Sequence, residues 1–120
     1  MDDVPVLDEG ALRRLDDWGG EKLRRQMARL YLENARTRLG QIDAGLRDDP
    51  DLGAVEMAAH SLKSSAANVG LMRVSTLAAE LEQAASGGEE SVLADLRERL
   101  GSAIEEGEDA LNTLLPAEDT

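Results

Sequence analysis

The chain is marked first by the residue types that it lacks. Its 120 residues include no cysteine and no phenylalanine, and only one tryptophan, one tyrosine and one histidine. Without cysteine, disulfides and thiolate chemistry are excluded, and a reducing, cytoplasmic location is favoured. A single histidine in a chain without cysteine also excludes the usual zinc sites. Two aromatic side chains provide no platform on which nucleic-acid bases could stack.

Long apolar runs and an excess of positive charge are missing too. No segment approaches the roughly 18 apolar residues of a membrane span, and the acidic start at 1–5 differs from the basic start of a secretory signal. The net charge is −12, from 25 acidic and 13 basic residues. Nucleic-acid binding needs basic clusters, so we expect neither a nucleic-acid nor a membrane partner.

The abundant residue types, Ala, Leu, Glu and Arg, favour helices, and the apolar positions recur with a period near 3.6 residues. Glycine pairs, prolines and acidic clusters interrupt this pattern. The interruptions separate five predicted helices, at about residues 8–18, 21–47, 50–70, 71–85 and 90–115. We predict an all-α fold: an antiparallel four-helix bundle with a short extra N-terminal helix, for which Asp8 is the expected N-cap.

The bundle is expected to form one domain over residues 8–115, between tails at 1–7 and 116–120. Its predicted core consists of apolar stripes at three- and four-residue spacing. These positions are Leu23, Met27, Leu30, Tyr31, Leu39, Ile42 and Leu46 in the second helix; Val55, Ala58, Ala59, Leu62, Ala66 and Val69 in the third; Val74, Leu77, Leu81 and Ala84 or Ala85 in the fourth; and Leu93, Leu96, Leu100, Ala103, Gly107, Ala110 and Leu114 in the fifth.

The single histidine, His60, lies off the apolar stripe of the third helix. At about 100° per residue, it falls roughly opposite the middle of that stripe. Its neighbours on the outer face are Glu56, Met57, Lys63, Ser64 and Ala67. A lone histidine on a helix is more often an ordinary surface residue than a functional one, but this phase disfavours a buried structural histidine.

Glu82 is expected beside His60. If the third and fourth helices form a hairpin at Gly70-Leu71, residues equidistant from the turn lie at the same height. His60 is ten residues before Gly70, and Glu82 is eleven after Leu71. A carboxylate there would accept a hydrogen bond from Nδ1–H and leave Nε2 as the free nucleophile. Lys63 and Ser64, on the same face, would hold the oxygens of a phosphoryl group on Nε2.

Other chemistries fit poorly. Di-iron bundles require Glu-x-x-His from two helices, whereas this chain has one histidine, four residues after Glu56. The segment 62–65 has no upstream glycines of a phosphate-binding loop, and no ATP-binding motif is visible. A Ser-His-acid triad would lack an evident cleft and oxyanion hole in so small a bundle.

The stretch from His60 to Gly70 resembles the histidine-containing phosphotransfer (HPt) domain of multistep phosphorelays. The family pattern is approximately His-x-Leu-Lys-[Gly/Ser]-[Ser/Ala]-[Ser/Ala]-x-x-x-Gly, followed by leucines and Leu-Glu. Here it reads HSLKSSAANVG, with Leu71, Leu77 and Leu81-Glu82 downstream. An upstream LYLE run at 30–33 and the acidic break at 48–51 extend the resemblance over about residues 8–110.

Three positions depart from the family pattern. Ser64 stands where many members have glycine, which leaves less room beside the imidazole. Ala78 stands where cysteine is frequent, at a packing position. Tyr31 replaces the usual phenylalanine, and its hydroxyl needs water or a partner.

The resemblance implies a phosphoryl carrier without an ATP site of its own. A receiver domain with an aspartyl phosphate, or a hybrid kinase, would dock over the third helix and phosphorylate His60, which would pass the group to another receiver. Mg²⁺ is expected on the receiver and no cofactor on this chain. The expected docking residues are Met57 and Ala67, with Leu12, Leu15 or Trp18 at the rim.

Two alternatives from other classes stay open. The same face could serve a non-phosphorylated adaptor that binds receiver or kinase domains, although such an adaptor would be expected to lack the histidine or the lysine. A plain bundle could instead oligomerise through the seam of the fifth helix. We expect a monomer, and the extent of the resemblance from Met1 favours a free-standing bacterial protein.

Overall fold

A computed structural model describes residues 4–47 and 49–114, which form four helices joined by short connections. Helix α1 spans Glu9–Gly45, α2 spans Leu52–Asn68, α3 spans Met72–Gly87 and α4 spans Leu93–Leu114. A single 3-10 turn at Glu90–Val92 leads into α4. The described residues contain no strand, so the predicted all-α bundle is confirmed.

Helix α1 contains both the short extra helix and the second helix of the prediction. The Asp8 carboxylate caps its start by accepting a hydrogen bond from the Gly10 N–H at 3.0 Å. At Gly20 the backbone leaves the helical region, with φ 71° and ψ −167°. A positive φ favours glycine, because glycine has no Cβ and adopts this conformation without the steric cost that other residues meet. The predicted boundary at Gly19-Gly20 is therefore a kink between two helical segments that follow each other without a loop.

Helices α2 and α3 form the predicted hairpin, and Gly70 makes its turn possible. Gly70 has φ 79°, and the Asp8 N–H donates to its carbonyl oxygen at 2.6 Å. A Cβ at this position would collide with the backbone oxygen of Asp8 and press on Ala11 at 3.0 Å. The start of α1 thus closes over the α2–α3 turn, at the end of the bundle.

The core lies between the four helices, and most of the predicted stripes are buried. All six predicted positions of α2 are at most 2 % exposed, and those of α3 are at most 6 % exposed. In α4 the stripe is confirmed as far as Gly107, after which Leu111 is buried instead of Ala110, which is only half-buried. The side chain of Leu114 lies outside the described residues.

Leu30 is a wrong core prediction, because its side chain is 54 % exposed. The buried positions around it in α1 are Ala28, Tyr31 and Ala35, which share one face at three- and four-residue steps. Leu30 is turned about 100° away from Tyr31. The prediction included Leu30 because it follows Met27 by three residues, whereas the buried face is centred on Tyr31 and the two alanines that allow close packing.

Ion pairs join α1 to α4 along one seam. Two of the three guanidinium nitrogens of Arg97 contact the Asp43 carboxylate, Nε to Oδ1 at 2.5 Å and Nη2 to Oδ2 at 2.9 Å. Further along, Arg36 Nη2 lies 3.3 Å from Glu108 Oε2. We call the two pairs and the neighbouring Tyr31 the α1–α4 seam.

The segment before α1 lies against the bundle as far as it is described. Arg73 donates from Nε and Nη2 to the Val4 carbonyl oxygen, at 3.2 and 3.0 Å, and from Nη1 to Glu106 at 3.1 Å. The remainder of the predicted tails, 1–3 and 116–120, the predicted end of the last helix at Leu115, and part of the acidic break, Asp48, lie outside the described residues. None of the helices in the described parts of the chain is long and apolar enough to cross a membrane.

Candidate functional site

His60 lies in the third turn of α2, on the side that faces away from the core. Its side chain is 62 % exposed, whereas the adjacent Ala59 is fully buried. The difference follows from helix phase, because successive residues differ by about 100° in direction. The core anchors α2 through its inner face and leaves the imidazole accessible to a molecule that approaches from outside.

Glu82 on α3 contacts the ring nitrogen of His60. Its Oε2 lies 2.8 Å from Nδ1, the contact that hairpin symmetry predicts. An ionised carboxylate can only accept hydrogen bonds, so Nδ1 carries the proton and donates it. Nε2, on the opposite side of the ring, is then the nitrogen with a free lone pair.

Lys63 also contacts Glu82, and the sequence analysis missed this ion pair. Its Nζ lies 2.8 Å from Oε1, so each carboxylate oxygen serves a different partner. The pair could have been anticipated, because Lys63 lies one turn after His60 on the same face of α2. In this structure, Lys63 is therefore anchored beside the imidazole.

The electrostatics of the site keep Glu82 ionised. The hydrogen bond from Lys63 is the main cause that lowers the pKa of the Glu82 carboxyl below its usual range; burial opposes it, and the contact with His60 adds to the lowering. A carboxyl group in this environment remains a charged acceptor at neutral pH.

The other predicted residues of the outer face divide into exposed and buried groups. Ser64 and Ala67 are exposed on α2, and Met57 is 75 % exposed, one turn before His60. Trp18, at the end of the first segment of α1, is 78 % exposed. These four side chains are available to a partner.

Leu12 and Leu15 were predicted at the rim of the docking surface, but both are buried and cannot contact a partner there. They are 3 % and 7 % exposed, because the first segment of α1 folds back onto the bundle and uses them to cover its end. That segment meets the α2–α3 turn at Gly70, ten residues from His60, which is about 15 Å of helix rise. The docking surface around His60 is thus narrower than the sequence suggested.

Two open grooves border the His60 face. One lies between α2 and α3 and is lined by Glu56, Lys63, Glu82 and Glu89. The other lies between α1 and α2 and is lined by Arg38, Gln41, Met57 and Ser61, among others. Among the described residues, no group of three or more His, Cys, Asp or Glu side chains could hold a metal ion.

The family comparisons agree with this geometry. The Hpt domain model matches residues 26–116, well over half of the chain. A comparison with curated proteins finds no match.

Solved structures share the fold. The chain is similar to histidine-containing phosphotransfer protein B from Pseudomonas aeruginosa PAO1, with a TM-score of 0.85 and 22% identity over 92% of this chain and 95% of that one. It is also similar to a histidine-containing phosphotransfer protein from maize, with a TM-score of 0.82 and 20% identity over 92% of this chain and 83% of that one. At 20–22% identity, this similarity shows that the proteins share the helical-bundle fold.

Packing alone gives no reason for an accessible histidine, one turn before a lysine, on the outer face of α2. Hpt domains transfer phosphoryl groups through a histidine and interact with receiver and kinase domains in phosphorelays. By the match over residues 26–116, the chain belongs to the Hpt domain family and works in histidine phosphotransfer.

Proposed function

We propose that His60 is the phosphoacceptor of this chain. The observation that carries the proposal is the contact between Glu82 Oε2 and Nδ1, at 2.8 Å, on a side chain that is 62 % exposed. This contact engages one ring nitrogen and leaves Nε2 free. No other histidine exists in the sequence to take the role.

Transfer would proceed by attack of Nε2 on the phosphorus of an aspartyl phosphate on a docked receiver domain. The transition state is loose, with charge spread over the phosphoryl oxygens, so the reaction depends mainly on positioning and electrostatics. The receiver would supply Mg²⁺ and much of that charge stabilisation. This chain would act as a carrier between receivers, or between a kinase and a receiver, without an ATP site of its own.

Glu82, Lys63 and Ser64 would each have a separate task. Glu82 fixes the tautomer and the orientation of the ring. The Lys63 ammonium, anchored 2.8 Å from Glu82, has further N–H donors with which to bind phosphoryl oxygens as a point charge. The Ser64 hydroxyl, one turn after His60, would donate a further hydrogen bond.

The docking surface would be the exposed part of the His60 face. Met57, which is 75 % exposed, and Ala67 flank the imidazole on α2 and would form the apolar part of a contact with the partner. Trp18 extends the list of exposed apolar residues on α1. The protein would act as a cytoplasmic monomer that binds one receiver at a time, because each receiver must cover the same histidine.

The proposal is tested by incubating the full chain with a phosphorylated receiver domain and following acid-labile label on the chain. We expect His60→Gln to abolish labelling while the helical circular dichroism stays unchanged. Asn68→Ala, on the exposed side of the same helix, is the control and should label normally. Unchanged labelling of His60→Gln would refute the assignment, and binding of the receiver without any labelling of the wild type would favour the adaptor.

A further inference from the structure

The Glu82 carboxylate has a consequence for the phosphorylated state as well as for the free histidine. Its Oε2 contacts Nδ1 at 2.8 Å, on the side of the ring away from Nε2, so a phosphoryl group on Nε2 would leave this contact in place. Resting on the proposed function, we propose that Glu82 retains the Nδ1 proton through the whole cycle, so that the phosphoryl group enters and leaves His60 without any proton moving.

The bonds and charges balance without a proton donor. In the first step the Nε2 lone pair forms the N–P bond, the P–O bond to the receiver aspartate breaks, and its electron pair returns to that carboxylate. The neutral imidazole becomes a phosphorylated imidazolium that still carries Nδ1–H. In the second step the N–P bond breaks, the electron pair returns to Nε2, and the neutral imidazole leaves in the tautomer in which it began.

The same proton decides how well the ring leaves. With Nδ1–H present, cleavage of the N–P bond releases a neutral imidazole. Without that proton, cleavage would release an imidazolate anion, a far more basic and slower leaving group, unless water supplied the proton first. A negative charge beside Nδ1 favours the cationic ring, because opposite charges at hydrogen-bond distance stabilise each other.

The charges around the ring support Glu82 as the dominant influence. Glu82 is the only described side chain with a hydrogen bond or ion pair to His60, and the hydrogen bond from Lys63 keeps its carboxyl group ionised. The other charged groups that border this face come from three parts of the fold. They are Glu56 and Lys63 on α2, Glu89 after α3, and Arg38 on α1.

Glutamine at position 82 would separate two effects of the carboxylate: the hydrogen bond that it accepts from Nδ1–H and the negative charge that it places beside the ring. Its amide oxygen could still accept a hydrogen bond from Nδ1–H, so the tautomer of the free ring would be kept. It carries no charge, however, and would not stabilise the cationic, phosphorylated ring. Glu82→Gln is therefore the informative variant, and Glu80→Gln is its matched control, because Glu80 is on the same helix but lines the groove between α3 and α4.

The experiment uses the full chain, phosphorylated with phosphoramidate as a chemical donor and labelled with ¹⁵N in the imidazole. The nitrogen shifts of phosphorylated His60 report Nδ1–H between pH 6 and 9, and ³¹P spectra report loss of the phosphoryl group. For the wild type and Glu80→Gln we expect Nδ1–H throughout most of this range and a rate of loss that changes little with pH. For Glu82→Gln we expect loss of Nδ1–H at lower pH, with a rate that falls up to about tenfold for each further pH unit, as the protonated fraction falls.

The outcomes separate this inference from the proposed function. If Glu82→Gln and the wild type show the same pH dependence, Glu82 does not hold the proton and the inference fails, while His60 remains the phosphoacceptor. If the wild type takes up no more phosphoryl group than His60→Gln, both proposals fail. Glu82→Ala is a second variant that removes every acceptor at this position, and it must behave like Glu82→Gln for the inference to stand.

Discussion

The His60 face and the α1–α4 seam each contain an acidic side chain held by a cation, but the surroundings differ. Glu82 is held by Lys63, Asp43 is held by Arg97, and in both cases the hydrogen bond from the cation lowers the pKa of the carboxyl group. Only Glu82 has a second contact, to Nδ1 of a histidine whose side chain is 62 % exposed. A lowered pKa alone therefore does not identify a functional site, since structural ion pairs lower it as well. The two sites differ in the accessible His60 ring, which contacts Glu82 and has no counterpart among the described residues beside Asp43.

The comparison implies that changes at the two sites affect different quantities. On the His60 face, substitutions should change phosphotransfer and leave the free energy of unfolding nearly unchanged, because the groups are partly exposed and solvated. In the α1–α4 seam, substitutions should change stability and leave transfer unchanged. Each of the following experiments tests one side of this division.

The largest effect is expected for Lys63→Ala. In the proposed mechanism, removal of the ammonium would take a charge from the phosphoryl oxygens, and the loss of one such electrostatic contact costs on the order of 100-fold in rate. The transfer rate from a phosphorylated receiver domain is measured by rapid quench. Urea unfolding should show a change in stability within about 0.5 kcal/mol, because exposed pairs contribute little. Equal transfer rates would remove Lys63 from the site.

Tyr31→Phe should stabilise the protein. The Tyr31 hydroxyl is buried and has no hydrogen-bond partner among the described residues, and burial together with the nearby Glu108 raises the pKa of this phenol. Removal of an unsatisfied buried hydroxyl is expected to increase the free energy of unfolding by about 1 kcal/mol. Thermal unfolding measures the gain, and the transfer rate should stay at the wild-type value. A loss of stability would show that the hydroxyl has a partner, such as a buried water.

Asp43→Asn should have a smaller, opposite effect. It removes the charge from a two-point contact with Arg97 that is partly exposed, so we expect a loss of about 0.5–1 kcal/mol after screening by solvent. Asp95→Asn is the control, because its pair with Arg99 lies within α4 at 3.7 Å and does not join two helices. If the control lost as much stability as Asp43→Asn, the seam would have no special part in holding α1 to α4.

The smallest expected effect is the loss, at acidic pH, of the stability that Asp43 contributes. The pKa of Asp43 is lowered from its ordinary value of 3.8, so the folded state binds this proton less readily than the unfolded state. The resulting stabilisation is fully present above that value and disappears as the pH falls through the lowered pKa. We therefore expect the stability difference between the wild type and Asp43→Asn to shrink between pH 5 and 2. A difference that grew in acid would contradict the assigned direction.

The sequence predicted the α2–α3 hairpin better than the contacts between helices that are distant in the chain. The α2–α3 hairpin follows from local information, because the 3.6-residue period sets which face is buried and Gly70 sets the turn, and together they place Glu82 level with His60. Contacts between distant helices have no such local signal. The pairing of Asp43 with Arg97, 54 residues apart, depends on how whole helices pack, and so does the burial of Leu12 and Leu15.

The Val4–Arg73 contact determines where a dye attached at Val4 would lie on the bundle. Arg73 holds the Val4 carbonyl oxygen at the beginning of α3, nine residues from Glu82, or about 13 Å of helix rise. A small probe attached at Val4 would therefore lie beside the start of α3, about 13 Å along that helix from the level of Glu82.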